Sequence, residues 1–228
     1  MSRPKVVIFN SISLDGRLEN SVDMGLFYGL AATWMNIEPV AGCAMLSGSE
    51  TILTGFAGQE DPSFEPPAEP KQTIPGAVPY LAVVDGRGRI SNWGQLQAQP
   101  YWLETLALFS TDTPHISQQA AREAGVPIIT TGAGHVDLAA ALEELNTRFG
   151  IHTVRVDSGG TLNGILLQQG LVDEVSVLLC GVLTGGNAPA ALYGGEDSPA
   201  IMNIPLKLFH VEQVQENILW LRYEVVKS

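Results

Sequence analysis

Thr153-Val154-Arg155-Val156-Asp157-Ser158-Gly159-Gly160-Thr161-Leu162-Asn163-Gly164-Ile165-Leu166-Leu167 passes from a β-branched run, through two adjacent glycines, into a segment with leucines at helical spacing. A strand that feeds directly into a helix is half of a βαβ unit, and such units build parallel sheets covered by helices. Gly159 and Gly160 allow a tight turn and close approach of a ligand to the backbone. The N–H groups and positive dipole end at Thr161 and Leu162 favour an anion, so the turn is a candidate phosphate site. It matches neither Gly-x-Gly-x-x-Gly nor a P-loop, and a strand-to-helix turn that simply needs small residues is the plain alternative.

The same alternation extends in both directions. Apolar, β-branched runs bounded by Gly and Pro predict strands at Lys5–Ile12, Gly42–Ser47, Tyr80–Asp85, Leu106–Ser110, Pro127–Thr131, Thr153–Asp157, Glu174–Gly181, Leu206–Gln215 and Ile218–Val226. Helical periodicity covers Met24–Asn36, Gln118–Ala124, Leu138–Phe149 and Leu162–Gln169. Leu138–Phe149 is the clearest helix, with Asp137 as N-cap, an apolar stripe at Leu138, Leu142 and Leu145, and Gly150 as a left-handed stop. The last two runs are separated only by the turn at Glu216-Asn217, which leaves no room for a helix and implies an antiparallel hairpin. The expected architecture is α/β: a mainly parallel central sheet with a C-terminal antiparallel hairpin, in one domain spanning 1–228. The Pro-rich, acidic segment 59–79 lacks an apolar period and reads as an extended loop.

Composition narrows the function. With 228 residues, 45% apolar and 16% charged, the chain can bury a sizeable core. No run approaches the roughly 18 apolar residues of a membrane span, and the start lacks a signal peptide's apolar centre, so a cytoplasmic protein is expected. A formal net charge of −12 argues against nucleic acid, which demands a dense basic surface. Cys43 and Cys180 lie in apolar runs and read as buried thiols, and the four histidines are scattered without metal-ligand spacing, so no metal is expected.

Other strand ends carry polar groups of their own, where ligands bind in open α/β sheets. Met45-Leu46-Ser47-Gly48 and Leu81-Ala82-Val83-Val84-Asp85-Gly86 both pass from apolar to small and polar residues. Arg87 and Arg89 form a close basic pair that suits phosphates, or simply a solvated turn. At the first strand's end, Asp15-Gly16 reads as a turn, which leaves Asn10, Ser11 and Ser13 beside it to be explained.

Three segments together resemble the reductase family of riboflavin biosynthesis, which includes the C-terminal domain of the bifunctional deaminase-reductase and stand-alone pyrimidine reductases. They are Ser13-Leu14-Asp15-Gly16, Ala44 through Gly48 to Thr51, and the run from Asp157 to Glu174, which is similar to the family's Glu-Gly-Gly-x-x-Leu-x-x-x-Leu-Leu-x-x-x-Leu-Val-Asp-Glu. The resemblance implies a dihydrofolate-reductase-like three-layer fold and NADPH as cofactor. It implies hydride transfer to C1 of the open-chain ribosyl group of a ribosylaminopyrimidine 5′-phosphate. Carried over by position, Gly48, Thr51, Val83, Val84, Asp85, Ser158, Gly159, Gly160, Thr161 and Leu162 would hold the cofactor. Asn10, Ser13, Asp15 and Asp157 would face the substrate, with Asp157 and then Asp15 as the catalytic carboxylates.

Departures from the pattern bear on the substrate. Thr51 is followed by Ile52-Leu53-Thr54-Gly55, where the family usually has Asp-Asn-Pro-x-Leu; its Glu is here Asp157, and the next glycine is Ser158. A reductase of the same fold with another small-molecule acceptor, or a nucleotide-binding protein without turnover, are therefore the alternatives. The bifunctional enzyme's deaminase half is excluded, because its zinc site needs Pro-Cys-x-x-Cys together with His-x-Glu, and Pro-Cys-x-x-Cys is missing. The apolar hairpin, with Leu206, Leu208, Phe209, Ile218 and Trp220, predicts either a homodimer interface or monomer core.

Overall fold

A computed structural model of the protein describes residues 2–18, 26–27, 29–30, 42–56, 64, 71–73, 78–185, 191–193 and 203–227. The chain divides into two compact units, one of residues 1–4 and 36–154, the other of residues 5–35 and 155–228.

In the first unit, strands β2 (Cys43–Gly48), β3 (Val78–Val84), β4 (Trp102–Phe109) and β5 (Ile128–Thr130) are hydrogen-bonded in the order β5-β4-β3-β2, each pair parallel. Helices α1 (Ser49–Gly55), α2 (Trp93–Gln97) and α3 (His115–Glu123) fall between successive strands, and α4 (Leu138–Phe149) follows β5. The strands are buried almost throughout, as parallel strands with helices on their faces must be. Their core includes Leu81, Leu106, Leu108, and Trp93 packed edge-on against Phe109 at 5.8 Å. In α4 the Asp137 carboxylate accepts from the Ala140 N–H at 3.0 Å, and Gly150 stops the helix at φ 64°. Leu138, Ala141, Leu142 and Leu145 form its buried face. The chain leaves this unit along β6 (Thr153–Val156).

In the second unit, β1 (Lys5–Ser13), β7 (Glu174–Cys180), β9 (Ile218–Val225) and β8 (Leu206–Gln215) run in the order β1-β7-β9-β8. β1 and β7 are parallel; β7–β9 and β9–β8 are antiparallel. Helix α5 (Gly160–Gln168) precedes β7. Phe9, Phe27, Leu178, Cys180 and Trp220 form a core cluster, into which the Trp220 indole donates to Ser176 Oγ at 2.8 Å. The buried Glu174 carboxylate lies between Lys5 Nζ and Arg222 Nε, each at 2.8 Å. The Arg222 guanidinium in turn lies 4.8 Å from the Phe209 ring centroid.

The expected fold class is the one observed, mainly parallel strands alternating with helices and closing in an antiparallel hairpin. Three differences are local. Helices α1 and α2 lie where none is expected, β4 begins at Trp102 rather than Leu106, and β3 begins at Val78, inside the expected loop 59–79. Most of that loop lies outside the described residues, as does most of the expected helix 24–36, of which Leu26, Phe27, Gly29 and Leu30 are helical. Cys180 is buried as expected, whereas Cys43 is only half-buried. Among the described residues no helix is long and apolar enough to cross a membrane.

The Glu174 carboxylate is a buried acceptor shared by Lys5 and the mostly buried Arg222, and both ion pairs go with it. Glu174→Ala is expected to lower stability by about 3 kcal/mol, read as a lower urea midpoint with an unchanged slope.

Candidate active site

The second unit brings most of the candidate substrate-facing and turn residues together. Asn10, near the end of β1, donates from Nδ2 to the Ser158 carbonyl at 3.2 Å, which ties that strand end to the turn after β6. Asn10 and Ser158 are both buried. Gly159 is the N-cap of α5, in extended conformation, and as a glycine it makes no side-chain capping bond. Gly160, Thr161 and Leu162 make the first turn, so the sequence presents polar backbone behind a glycine N-cap at the end of a buried strand. Such a turn suits an anionic group.

Asn163, in the next turn of α5, was not apparent as a site residue from sequence. It is fully buried, and its Nδ2 donates to Leu192 O at 2.8 Å, to Asn10 Oδ1 at 3.0 Å and to Ser158 O at 3.4 Å. A helical side chain leans toward the helix N-terminus, which is why this residue reaches back over the turn. The signal that could have found it is its polarity among Leu162, Leu166 and Leu167, all buried.

Asp15 and Ser13 form a second group. Asp15 Oδ1 accepts from Ser13 Oγ at 2.7 Å and from the Thr184 N–H at 3.1 Å, while Oδ2 accepts from the Gly185 N–H at 2.9 Å. The Arg17 N–H donates to Ser13 Oγ at 3.1 Å, and the Leu14 N–H to Val182 O at 2.9 Å. These bonds anchor the segment after β7 to the turn after β1. Three donors hold the Asp15 carboxyl far below the usual carboxylate range, with the Ser13 hydroxyl the largest cause. Asp157 is the reverse case. The residue keeps a partly exposed edge, but its carboxyl group lies deep among protein atoms. That burial pushes its pKa up, and the Arg155 charge opposes the shift only in part.

In the first unit, Gly48 is the N-cap of α1, again without a side-chain capping bond, and pairs in register with Val84 of β3. Thr51 lies in α1, and Val83 and Val84 close β3. Asp85 is fully buried; its Oδ1 accepts the Arg89 N–H and its Oδ2 the Ile90 N–H, both at 2.9 Å. Gly88 has φ +65°, and an added Cβ would meet Ser117 Oγ at 2.4 Å, so glycine is required in this turn. Arg89 Nη1 pairs with Glu50 Oε2 of α1 at 2.5 Å. Of the two arginines considered for phosphates, Arg89 is thus held by a carboxylate, and both are exposed.

Parallel strands that end in glycine-led helical turns, with buried polar side chains at those ends, define an α/β protein of the kind that binds small ligands beyond its strand ends. The particular family follows from comparison: residues 4–220 match the RibD C-terminal domain, and the chain belongs to that family. The 2,5-diamino-6-ribosylamino-4(3H)-pyrimidinone 5′-phosphate reductase of Methanothermobacter thermautotrophicus is 27% identical over 195 residues, 85% of each chain. Among solved structures, a pyrimidine reductase-like protein from Corynebacterium diphtheriae superposes with a TM-score of 0.69 at 17% identity, covering 99% of this chain and 93% of that one. RibD of Acinetobacter baumannii gives a TM-score of 0.66 at 21% identity over 98% of this chain. The chain spans 58% of the length of that RibD.

The opposite shifts of the two carboxyls have a pH signature. A carboxyl whose pKa is raised in the folded state keeps its proton while the unfolded chain loses it, so stability falls as pH rises from about 4 to the raised value. Asp157→Asn abolishes that component, since Asn does not titrate. In urea unfolding at a series of pH values, the stability of Asp157→Asn relative to wild type is expected to climb from pH 4 toward neutrality. A flat difference would show that the carboxyl titrates normally.

Proposed function

We propose that this protein is an NADPH-dependent reductase of riboflavin biosynthesis, acting on a ribosylaminopyrimidine 5′-phosphate and converting its ribosyl group to ribityl. The observation that carries the reading is the pairing of a glycine-led turn at Ser158–Leu162 with the deeply placed Asp157 carboxyl immediately before it, in a chain of the RibD C-terminal domain family. The relative from M. thermautotrophicus is named for the diamino substrate, and that non-deaminated pyrimidine is the substrate we assign.

Each unit contributes residues assigned to the cofactor by the family pattern. In the second unit, Ser158, Gly159, Gly160, Thr161 and Leu162 are assigned to the cofactor, with a glycine at the helix N-cap that puts no side chain of its own in the way. In the first unit, Gly48, Thr51, Val83, Val84 and Asp85 are the groups assigned to the cofactor. There Asp85 acts through the turn it shapes, because both carboxylate oxygens already accept backbone N–H groups. NADPH supplies the hydride when bound. The remaining chemistry belongs to the protein.

Reduction adds a hydride to C1 of the open-chain sugar and a proton to the heteroatom of its C=O or C=N bond, so the site must hold both partners and deliver that proton. Asp157 suits the delivery, because burial favours its protonated form. Asp15, held ionised by three donors, does not; it and Ser13 anchor the segment at Thr184 and Gly185 beside the substrate. Asn10, buried at the end of β1, is the neutral polar contact to the substrate.

We treat the two units as one reductase domain, in a cytoplasmic protein that works as a homodimer. β8 ends the hydrogen-bonded order β1-β7-β9-β8. A register shift between Leu208 and His210 puts Leu206, Leu208 and Val211 opposite Val225, Tyr223 and Leu221, on the face that also carries Leu219. Leu206, Leu208, Val211 and Leu219 are each exposed by 38–55%. A continuous apolar face of this kind is suited to an isologous contact with a second copy.

NADPH oxidation followed at 340 nm is expected with the diamino pyrimidine and weaker with its deaminated counterpart, and Asp157→Asn is expected to lower kcat by about 100-fold or more. Binding of NADPH without turnover on either pyrimidine would move the substrate to another acceptor, which the altered Thr51–Gly55 run would then explain. In sedimentation, wild type is expected as a dimer and the double variant Leu208→Glu, Val211→Glu as a folded monomer. A monomeric wild type would remove the second copy from the proposal.

A further inference from the structure

Asn163 breaks the pattern of the helix that carries it. It occupies a fully buried position in α5 between Leu162 and Leu166, where an apolar side chain would pack without any polar demand. Its two amide protons serve three acceptors from three separate segments: the side chain of Asn10 in β1, the carbonyl of Ser158 before α5, and the carbonyl of Leu192. Its own Oδ1 is buried and finds no partner among the described residues. A buried acceptor without a partner is unfavourable, and leucine of similar size would avoid it. Departures of this sort concentrate where a position is held for function rather than for stability.

The bonds also say what is held. Ser158 is the first residue of the turn assigned to the cofactor, and its carbonyl takes a second hydrogen bond from Asn10, the residue assigned to the substrate. Asn163 therefore grips both: the Ser158 carbonyl directly, and the Asn10 amide through its Oδ1, leaving the Asn10 Nδ2 to donate to Ser158. The Asn163 donor thus bears on both the peptide plane between Ser158 and Gly159 and the Asn10 rotamer, and its loss loosens the two together. Gly159 and Gly160, having no side chains, give the turn no stiffness of their own.

We propose that Asn163 is a positioning residue of the cofactor site: it touches neither cofactor nor substrate, and sets the shape in which the Ser158–Leu162 turn receives NADPH. The proposal rests on the cofactor reading above. The test uses the full chain as wild type, Asn163→Leu and Asn163→Ser, with NADPH affinity by titration calorimetry and folding by circular dichroism and thermal melting. Leucine keeps the volume and removes the donor. Serine keeps one hydroxyl donor and covers the case in which the leucine variant does not fold.

The expected result is a dissociation constant raised about tenfold or more in the folded variants, the effect of one hydrogen bond of ordinary worth, with leucine at least as affected as serine. A folded variant that binds NADPH as tightly as wild type, whatever its melting temperature, overturns the proposal and leaves Asn163 a packing residue. Failure of both variants to fold overturns it as well, by assigning Asn163 to the core. Wild type that binds no NADPH sinks the cofactor reading and the proposal together. Wild type that binds NADPH without reducing either pyrimidine sinks only the substrate assignment, and the comparison of affinities still decides the role of Asn163.

Discussion

Gly159 and Gly160 carry no side chain that can cap the helix they begin, so the first turn of α5 presents polar backbone at the end of a strand whose last three residues are fully buried. Buried polar backbone must be paired or offered to a ligand. The residues around this turn divide that requirement between them: Asn10 and Asn163 satisfy the Ser158 carbonyl on the acceptor side. On the donor side, the N-cap is Gly159, which has no side chain to cap the helix with. A glycine-led turn stabilised on its acceptor side suits negative charge at its helix N-terminus, and the placement of Asp157 immediately before Ser158 puts a titratable group at its edge.

Three aspartates illustrate how the environment, not the residue type, decides what a carboxylate does. Asp85 and Asp15 both spend their oxygens on backbone N–H groups, and each thereby fixes a loop: residues 85–90 in one unit, residues 182–185 in the other. Hydrogen bonds to the charged form keep Asp15 ionised. Asp157 instead feels mainly desolvation, which favours the neutral acid. Of the two carboxyls that the sequence pattern nominates for chemistry, only Asp157 has surroundings that favour its protonated form.

Among the described residues, strands β1 to β7 were legible as apolar runs bounded by turn residues, as buried parallel strands read, and the final hairpin was legible from the short Glu216-Asn217 turn between its strands. Helix α4 was legible to its ends, since Asp137 and Gly150 are the local chemistry that starts and stops it. The helices that were missed, Ser49–Gly55 and Trp93–Gln97, span two turns or fewer, and burial of Ile52, Trp93 and Leu96 rather than periodicity fixes them. The site shows the same division. Residues contiguous with a strand end could be nominated from sequence, whereas Asn163 and the Arg89–Glu50 pair depend on contacts across 153 and 39 positions that no local pattern encodes.

Charge pairing explains why the backbone must carry so much of the anion recognition on the proposed reading. The chain has twelve Lys and Arg residues against twenty-four acidic ones, and several of those cations are already engaged: Lys5 and Arg222 with Glu174, Arg89 with Glu50, Arg148 with Glu144, and Lys227 with Asp173. A cation held by a carboxylate contributes little net field to a phosphate beyond it. Helix termini and turns have fixed dipoles that no ion pair neutralises, and they hold their direction without the entropy loss of ordering a long side chain. In an acidic protein, a phosphorylated ligand is therefore better received by a rigid turn than by a cluster of arginines. The stiffness of the Ser158–Leu162 turn then matters more than the number of positive charges near it.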